Sequence, residues 1–335
     1  MNERELIDRI RHLLPEDAPG LIRAIGDDCA VISKTDDLVW LLTMDTLMES
    51  VHFDLSWHSP FELGRKAVTV NVSDISAMGG TPVFSLLSLG LPTDFDGKWA
   101  AQLSRGIADA CQEYGCLLIG GDTVCSPGGV ALSLTVIGEM KRDLVLYRNR
   151  AKPGDTVWVS GPLGLAGAGL DLCKTGTAFD APAMQPLLKA HRDPRARLRM
   201  GAFLAETGLV HAMMDLSDGL ATDLAHLCVQ SGVGARVFAG KLPGYEVLEA
   251  PAQLLGRQPL SWMISSGEDY ELLFTTSGAV TDEFVTQLAE HGFSAYPVGT
   301  LTKGKGVLLV QEKSDDGTVF EQDISYQGYG HFEKR

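Results

Sequence analysis

Aspartates at the ends of apolar runs are the chemically suggestive feature of this chain. Asp27 and Asp28 follow Ile25-Gly26, Asp45 follows LLTM, Asp122 follows LLIGG, and Asp215 follows HAMM with Asp218 three residues on. In a layered α/β protein, ligands collect at the carboxyl ends of strands, so these side chains could converge. Asp74 could join them from a neighbouring helix. Taken singly, each Asp also reads as a turn former or helix N-cap. Taken together, several carboxylates in one place would repel each other and raise one another's pKa unless cations neutralised them. Magnesium does this with oxygen ligands, keeps part of its water, and shares its coordination with substrate phosphates. Gly120-Gly121 before Asp122 and Gly219 after Asp218 would let a phosphate approach the backbone. The residues alone point to a metal-bridged phosphate site without a P-loop.

The elements that must position these side chains alternate along the chain. Residues 38–44 (LVWLLTM) form a nearly continuous apolar run, predicted to end as a strand at Asp45. Residues 116–119 (CLLI) are predicted to end before Gly120-Gly121-Asp122. Residues 130–137 and 156–160 alternate well enough for strands, and residues 98–114 place Trp99, Leu103, Ile107 and Ala110 on one helical face. The expected fold class is therefore α/β, or more broadly α+β. Residues 63–78 stay ambiguous: Val68 to Val72 is β-branched, yet Leu63, Ala67, Val70, Asp74 and Ala77 share a helical face. A basic cluster and Pro153-Gly154 interrupt two strand-like runs at residues 148–155, which divides the chain into domains 1–147 and 148–335. Residues 176–199 read as a surface connection.

Other chemistries find less support. Gly299-x4-Gly304-Lys305 imitates a P-loop, but Gly306 replaces the expected Ser or Thr and a strand-like VLLV follows. Gly164-x-x-Gly167-x-Gly169 reverses the dinucleotide fingerprint and reads as close helix packing. No G-x-S-x-G elbow marks a serine hydrolase. His12, His58, His191, His211, His226, His291 and His331 read as surface or packing residues; His52 differs in following Asp45 by seven positions. The 28 Lys+Arg against 43 Asp+Glu give a net charge of −15, which argues against a nucleic-acid partner. Hydrophobic residues at 45% and charged residues at 21% are globular values. The 335 residues suit about two domains. The N-terminus has no signal-peptide pattern, and no apolar run is long enough for a membrane span. Six scattered cysteines without C-x-x-C read as reduced thiols. A soluble, cytoplasmic protein is expected.

Seven strings then carry a resemblance: IGDDCAV (25–31), TMDTLMESVHF (43–53), NVSDISAMGGTP (71–82), LIGGDT (118–123), AKPGD (151–155), DLSDGL (215–220) and SGEDYEL (266–272). In content and order they resemble the thiamine-monophosphate kinase family, within the wider PurM-like superfamily of ATP-binding enzymes. The resemblance implies a two-domain PurM-like fold, with an N-terminal mixed-sheet dimerisation domain and a C-terminal α/β domain closing over ATP. It implies that the stretch around Asp74 is helical. It further implies that magnesium is held by Asp28, Thr43, Asp45, Asp74, Asp122 and Asp215, with Asp218 holding another ion, and that catalysis rests on Asp45, Asp122 and Asp215. Gly121, Asp122, Arg148 and Ser217 match ATP-contacting positions, while His52, Glu268 and Tyr329 match positions that contact thiamine monophosphate. Met44 departs from the pattern, since relatives often carry a hydroxyl residue there.

The implied reaction is ATP-dependent, in-line phosphorylation of thiamine monophosphate by a homodimer. Its acceptor phosphate has a second pKa of about 6, so it is already largely ionised at neutral pH and needs no general base. Glu268 would face the cationic thiazolium or bond to the aminopyrimidine. Rival readings are an aminoimidazole-ribonucleotide synthetase, a selenophosphate synthetase, or a non-enzymatic maturation factor. The second is expected to carry a reactive Cys in a Gly-rich N-terminal loop, and the third a Cys-bearing tail; the sequence shows neither.

Overall fold

The computed structural model describes residues 3–13, 17–176, 181–279, 282–312 and 319–331. Its N-terminal half begins with α1 (Glu3–Leu13), β1 (Leu21–Arg23), β2 (Ala30–Ser33) and β3 (Leu38–Met48). There follow α2 (Pro60–Ala77), β4 (Thr81–Leu91), α3 (Gly97–Tyr114), β5 (Leu117–Cys125) and β6 (Ala131–Lys141). The six strands lie in the order β1-β2-β3-β6-β4-β5. All pairs are antiparallel except β4–β5, which α3 connects. Alternation along β3 turns Val39, Leu41, Thr43, Asp45 and Leu47 toward α2, and Met44 and Met48 to the opposite, exposed face.

Helix α2 resolves the ambiguous stretch. Ser59 accepts the N–H of Glu62 while the Glu62 carboxylate accepts the N–H of Ser59, a reciprocal cap, and Pro60 opens the first turn. From Leu63 onward nearly every residue is buried, because the helix lies between the first sheet and the C-terminal half. A helix covered all round has no polar face to reveal its period.

The C-terminal half runs β7 (Thr156–Val159), α4 (Leu165–Thr175), α5 (Gln185–Arg192), α6 (Leu198–Thr207), β8 (Val210–Asp215), α7 (Leu220–Ser231) and β9 (Gly234–Phe238). It continues with α8 (Tyr245–Leu255), α9 (Pro259–Ser265), β10 (Leu272–Thr276), α10 (Asp282–Glu290), β11 (Tyr296–Thr302), β12 (Val307–Glu312) and β13 (Val319–Asp323). Its sheet has the order β13-β12-β9-β11-β7-β10-β8, with β9–β12 the parallel pair. Leu172, Leu187, Leu224 and Leu248 from four helices pack on one face. Trp158, Met213 and Phe274 on the other belong to a cluster that includes Ile75 and Met78, so one apolar core spans both halves. Each such side chain contributes roughly 1.5–3 kcal/mol on burial. Among the described residues no helix is long and apolar enough to cross a membrane.

Three local expectations are corrected. β3 continues through Asp45 to Met48, and β5 continues through Asp122 to Cys125, so neither Asp terminates its strand. Asp45 is accommodated mid-strand because α2 presents polar groups to it. The described part of 176–199 is not a mere surface connection: it includes α5, whose Leu187, Leu188 and His191 are buried.

Candidate active site

Helix α2 supplies the centre of the site from its C-terminal half, with Asn71 reaching β3 and Ser73 reaching β8. Asn71 Oδ1 accepts the backbone N–H of Asp45 at 2.8 Å, and its own amide donates to Ala67 O at 3.0 Å. Ser73 Oγ donates to Asp215 Oδ2 at 2.6 Å. Thr43 Oγ1 donates to Asp74 Oδ2. Asp215 ends β8, while Asp28 arrives on the loop between β1 and β2. Carboxylate oxygens of Asp28, Asp74 and Asp215 all lie within 4.8 Å of one another. Arg148 donates to both oxygens of Asp28, with Nε to Oδ2 at 3.1 Å, and its backbone N–H meets Asp27 Oδ1 at 3.2 Å.

The electrostatics follow from that crowding. Burial first, then repulsion from Asp28, pushes Asp215 up to about 8. Burial and then Asp45 push Asp74 well above the usual carboxylate range, and burial also raises Asp45. Asp27 rises to about 6, again through burial and then Asp28. Such shifts mark a place where added positive charge is stabilising. Buried donors that are all hard oxygens suit a divalent cation of the magnesium type.

A cleft of about 1070 Å³ runs from Asp45, Asp74, Asp215 and Asp218 to Trp57, Asp171, Lys174 and Trp262. Glu268 lines the same cleft. Lys66 Nζ lies 2.8 Å from Glu268 Oε1, and His191 Nδ1 lies 3.0 Å from Oε2. Burial alone would raise Glu268, but Lys66 and then His191 outweigh it and hold the carboxyl well below its usual range. Burial, then Lys66, lowers both His191 and His58, the latter to about 2. The backbone at Glu268 (φ 69°) and Tyr270 (φ 50°) is left-handed, which side chains other than glycine rarely adopt. Asp269 locks this segment by accepting the N–H groups of Gly164 at 2.6 Å and Ala166 at 3.1 Å. On the other side, Glu268 N–H donates to Ser217 O and Tyr270 N–H to Leu216 O, at 2.8 and 2.9 Å. Segments 215–218 and 268–270 are therefore laced together.

His52 and Tyr329 also line the cleft. His52 Nδ1 accepts the Met48 N–H at 3.1 Å, its ring lies 5.2 Å from that of His331, and burial lowers its pKa. Tyr329 N–H donates to Asp218 O at 2.8 Å, and its ring meets His331 edge-on. Asp223 fixes the Asp218 turn by accepting the N–H groups of Asp218 and Gly219.

Gly121 and Asp122 stand apart. β5 is an edge strand, exposed along its whole length. The register Thr46–Ser133–Ser88–Asp122 turns Asp122 to the outer face of the sheet, opposite to Asp45. Within one chain Asp122 does not join the cluster. Gly121 has a packing reason as well, since a Cβ there would sit 1.9 Å from Leu87 O. Met44 points outward, away from the cluster.

Lys66 was not singled out from the sequence, His191 read as a surface or packing residue, and Ser73, Asn71 and Asp269 stood only within longer strings. A lysine inside an apolar stretch was the available signal for the first. His58 and His191 are packing residues as expected, but their packing forms the wall behind Glu268.

Residues 26–140 match the model for the AIR synthase related protein N-terminal domain, and residues 152–311 match that for the C-terminal domain. The chain is thus a two-domain member of the AIR synthase related class. The thiamine-monophosphate kinase of Aquifex aeolicus (strain VF5) is 33% identical over 332 residues, 99% of this chain and 98% of that protein. The enzyme of the same name from Escherichia coli (strain K12) is 34% identical over 310 residues, covering 92% and 91%. A solved structure, AaThiL complexed with AMPPCP and TMP, superposes with a TM-score of 0.85 at 33% identity, covering 99% of this chain and 97% of that one. The chain belongs to the thiamine-monophosphate kinase family.

Proposed function

We propose that the protein transfers the γ-phosphoryl group of ATP directly to the phosphate of thiamine monophosphate, giving thiamine diphosphate. The observation that carries this reading is the continuity of one cleft. It gathers Asp45, Asp74, Asp215 and Asp218, and the same cleft is lined by Glu268 together with Trp57, Trp262 and Tyr329. A flat cationic heterocycle bearing a phosphate spans such a cleft end to end.

Asp28, Asp74 and Asp215 would hold magnesium, with Thr43 and Asp45 beside them and Asp218 toward the cleft. When bound, the ion neutralises the phosphates of donor and acceptor so that two polyanions can meet. The chain's own residues supply the alignment. Ser73 and Asn71 orient Asp215 and the Asp45 backbone from one rigid helix. Arg148 orients Asp28, and the backbone of Ser217 ties the phosphate end to Glu268. A dianionic acceptor needs no base, in keeping with a His52 that burial keeps neutral and available for binding.

Gly121 and Asp122 enter this reading through a homodimer. β5 exposes Leu117, Leu118, Ile119 and Val124 at the sheet edge, beside Met44, Met48 and Leu86 on the outer face. An unpaired apolar edge of this kind is a template for a second copy, whose nucleotide-binding groups would then include Asp122. The reading places the protein in the cytoplasm, where six unpaired thiols stay reduced.

ATP consumption measured with thiamine monophosphate, formylglycinamidine ribonucleotide or selenide as acceptor tests the function. Turnover with thiamine monophosphate, accompanied by thiamine diphosphate, is expected. Turnover with another acceptor alone, or with none, would replace this reading by one of its rivals.

A further inference from the structure

Lys66 is fully buried, yet it is not part of the cleft surface; Glu268 and His191 are. Its ammonium reaches Glu268 Oε1 at 2.8 Å and His52 O at 3.3 Å. A lysine buried without water against a half-buried glutamate is rarely the most stable way to fill such space. The backbone that aims Glu268 is itself strained, and Asp269 clamps it to the start of α4. Two unfavourable features thus converge on one carboxylate. Both of its oxygens are engaged from behind, by Lys66 and His191, while the group lines the cleft in front.

We infer that Lys66 is a positioning residue that acts through Glu268, keeping its carboxylate charged and aimed at the heterocyclic part of the substrate. The inference rests on the reading above, in which Glu268 faces thiamine monophosphate. Among the described residues, the titratable groups that act on Glu268 include Lys66 of α2, His191 of α5, His58 ahead of α2, His52 after β3, and Tyr270 two positions on, while Lys174 of α4 lines the same cleft and acts on His191. Burial holds the three histidines toward their neutral forms, so Lys66 is the cation among those named as acting on Glu268. Removing its charge leaves a half-buried carboxyl without its main stabilising partner, and desolvation then drives that carboxyl toward protonation. Arg192 approaches His58 but pairs with Glu62.

The test compares Lys66→Met with wild type for KM and kcat toward thiamine monophosphate at saturating magnesium-ATP, from pH 6.5 to 9. The ratio of the two KM values cancels titration of the acceptor phosphate. Lys66→Met should raise KM at least tenfold at pH 6.5, with a smaller change in kcat, and the ratio should shrink as pH rises and Glu268 regains its charge. In a Glu268→Gln background, the same substitution should change KM less than twofold. A pH-independent ratio, a full effect in the Glu268→Gln background, or a loss confined to kcat would overturn the inference. Wild type inactive on thiamine monophosphate would instead overturn the functional reading, whereas Glu268→Gln with wild-type KM would overturn the inference and leave the functional reading standing. Should Lys66→Met not fold, carboxyl-carbon NMR of the wild type decides, with Glu268 assigned as the resonance lost in Glu268→Gln. An ionised Glu268 throughout pH 5.5–8 supports the inference, and a titration inside that range overturns it.

Discussion

Ser73 Oγ donates a 2.6 Å hydrogen bond to Oδ2 of Asp215, joining the helix behind the first sheet to the last residue of an edge strand in the second. The acidic cluster is therefore a joint between the two halves of the chain. Its geometry depends on their packing as well as on the carboxylates themselves.

Ser73→Ala should keep the fold and weaken the metal. Groups that orient a ligand typically contribute 10–100-fold to metal affinity. The magnesium concentration for half-maximal rate should rise by roughly tenfold, with the thermal melt nearly unchanged. A magnesium titration that superposes on wild type would remove Ser73 from the site.

The pH dependence of stability has a definite sign. Asp215 stands at about 8 in the folded protein, against an ordinary value of 3.8, through burial and then Asp28. The folded state binds that proton more tightly than the unfolded state. The contribution is present in full below about pH 4 and is lost as pH rises through about 8. Asp27, raised to about 6, acts in the same direction. In EDTA the melting temperature should therefore fall from pH 5 to pH 8.5, and magnesium should restore it more at the upper end. Stabilisation by magnesium that is equal at both ends would contradict the cluster's role.

His52→Ala should raise KM for thiamine monophosphate more than it lowers kcat. The ring lines the cleft, and burial keeps it below its ordinary pKa, so it is not positioned to relay a proton near neutrality. Steady-state kinetics from pH 6.5 to 8.5 check this. A kcat that collapses by orders of magnitude with KM intact would make His52 catalytic.

Much of this arrangement was legible in the sequence, and the exceptions have physical causes. The helix expected at 98–114 and the strand expected at 130–137 were legible because each alternates a fully covered side with a less covered one; they run 97–114 and 131–141. Helix α2 did not, since both its sides are covered, although Ser59-x-x-Glu62 held the cap signal. Asp45 read as a strand end because a carboxylate normally stops an apolar strand; here Asn71 and Asp74 make the inner face polar at that point. Lys66 was not singled out, because its partner, Glu268, is supplied by a distant segment. Asp122 carries the right string yet lies on the far face of the sheet, a fact of register that spacing along the chain does not encode.

Packing between α2 and α3 offers a test of the scaffold apart from the chemistry. A Cβ on Gly106 would stand 2.0 Å from Phe61 O, so two helix backbones must separate to admit it. Gly106→Ala should destabilise the protein by roughly 1–3 kcal/mol, read from denaturant midpoints. An unchanged midpoint would mean that this contact yields at no cost.

Transfer of the γ-phosphoryl group from ATP to thiamine monophosphate, as against its loss to water, is tested most sharply by isotope. ATP labelled with oxygen-18 in the three non-bridging γ-phosphoryl oxygens would be incubated with unlabelled thiamine monophosphate, magnesium and the protein. An Asp45→Asn variant would serve as the control, expected to fall by a factor of about 100 or more. Mass spectrometry should find all three labelled oxygens in the terminal phosphate of thiamine diphosphate, formed in step with ADP. Label appearing in free phosphate, with thiamine monophosphate unconsumed, would contradict the proposed reaction.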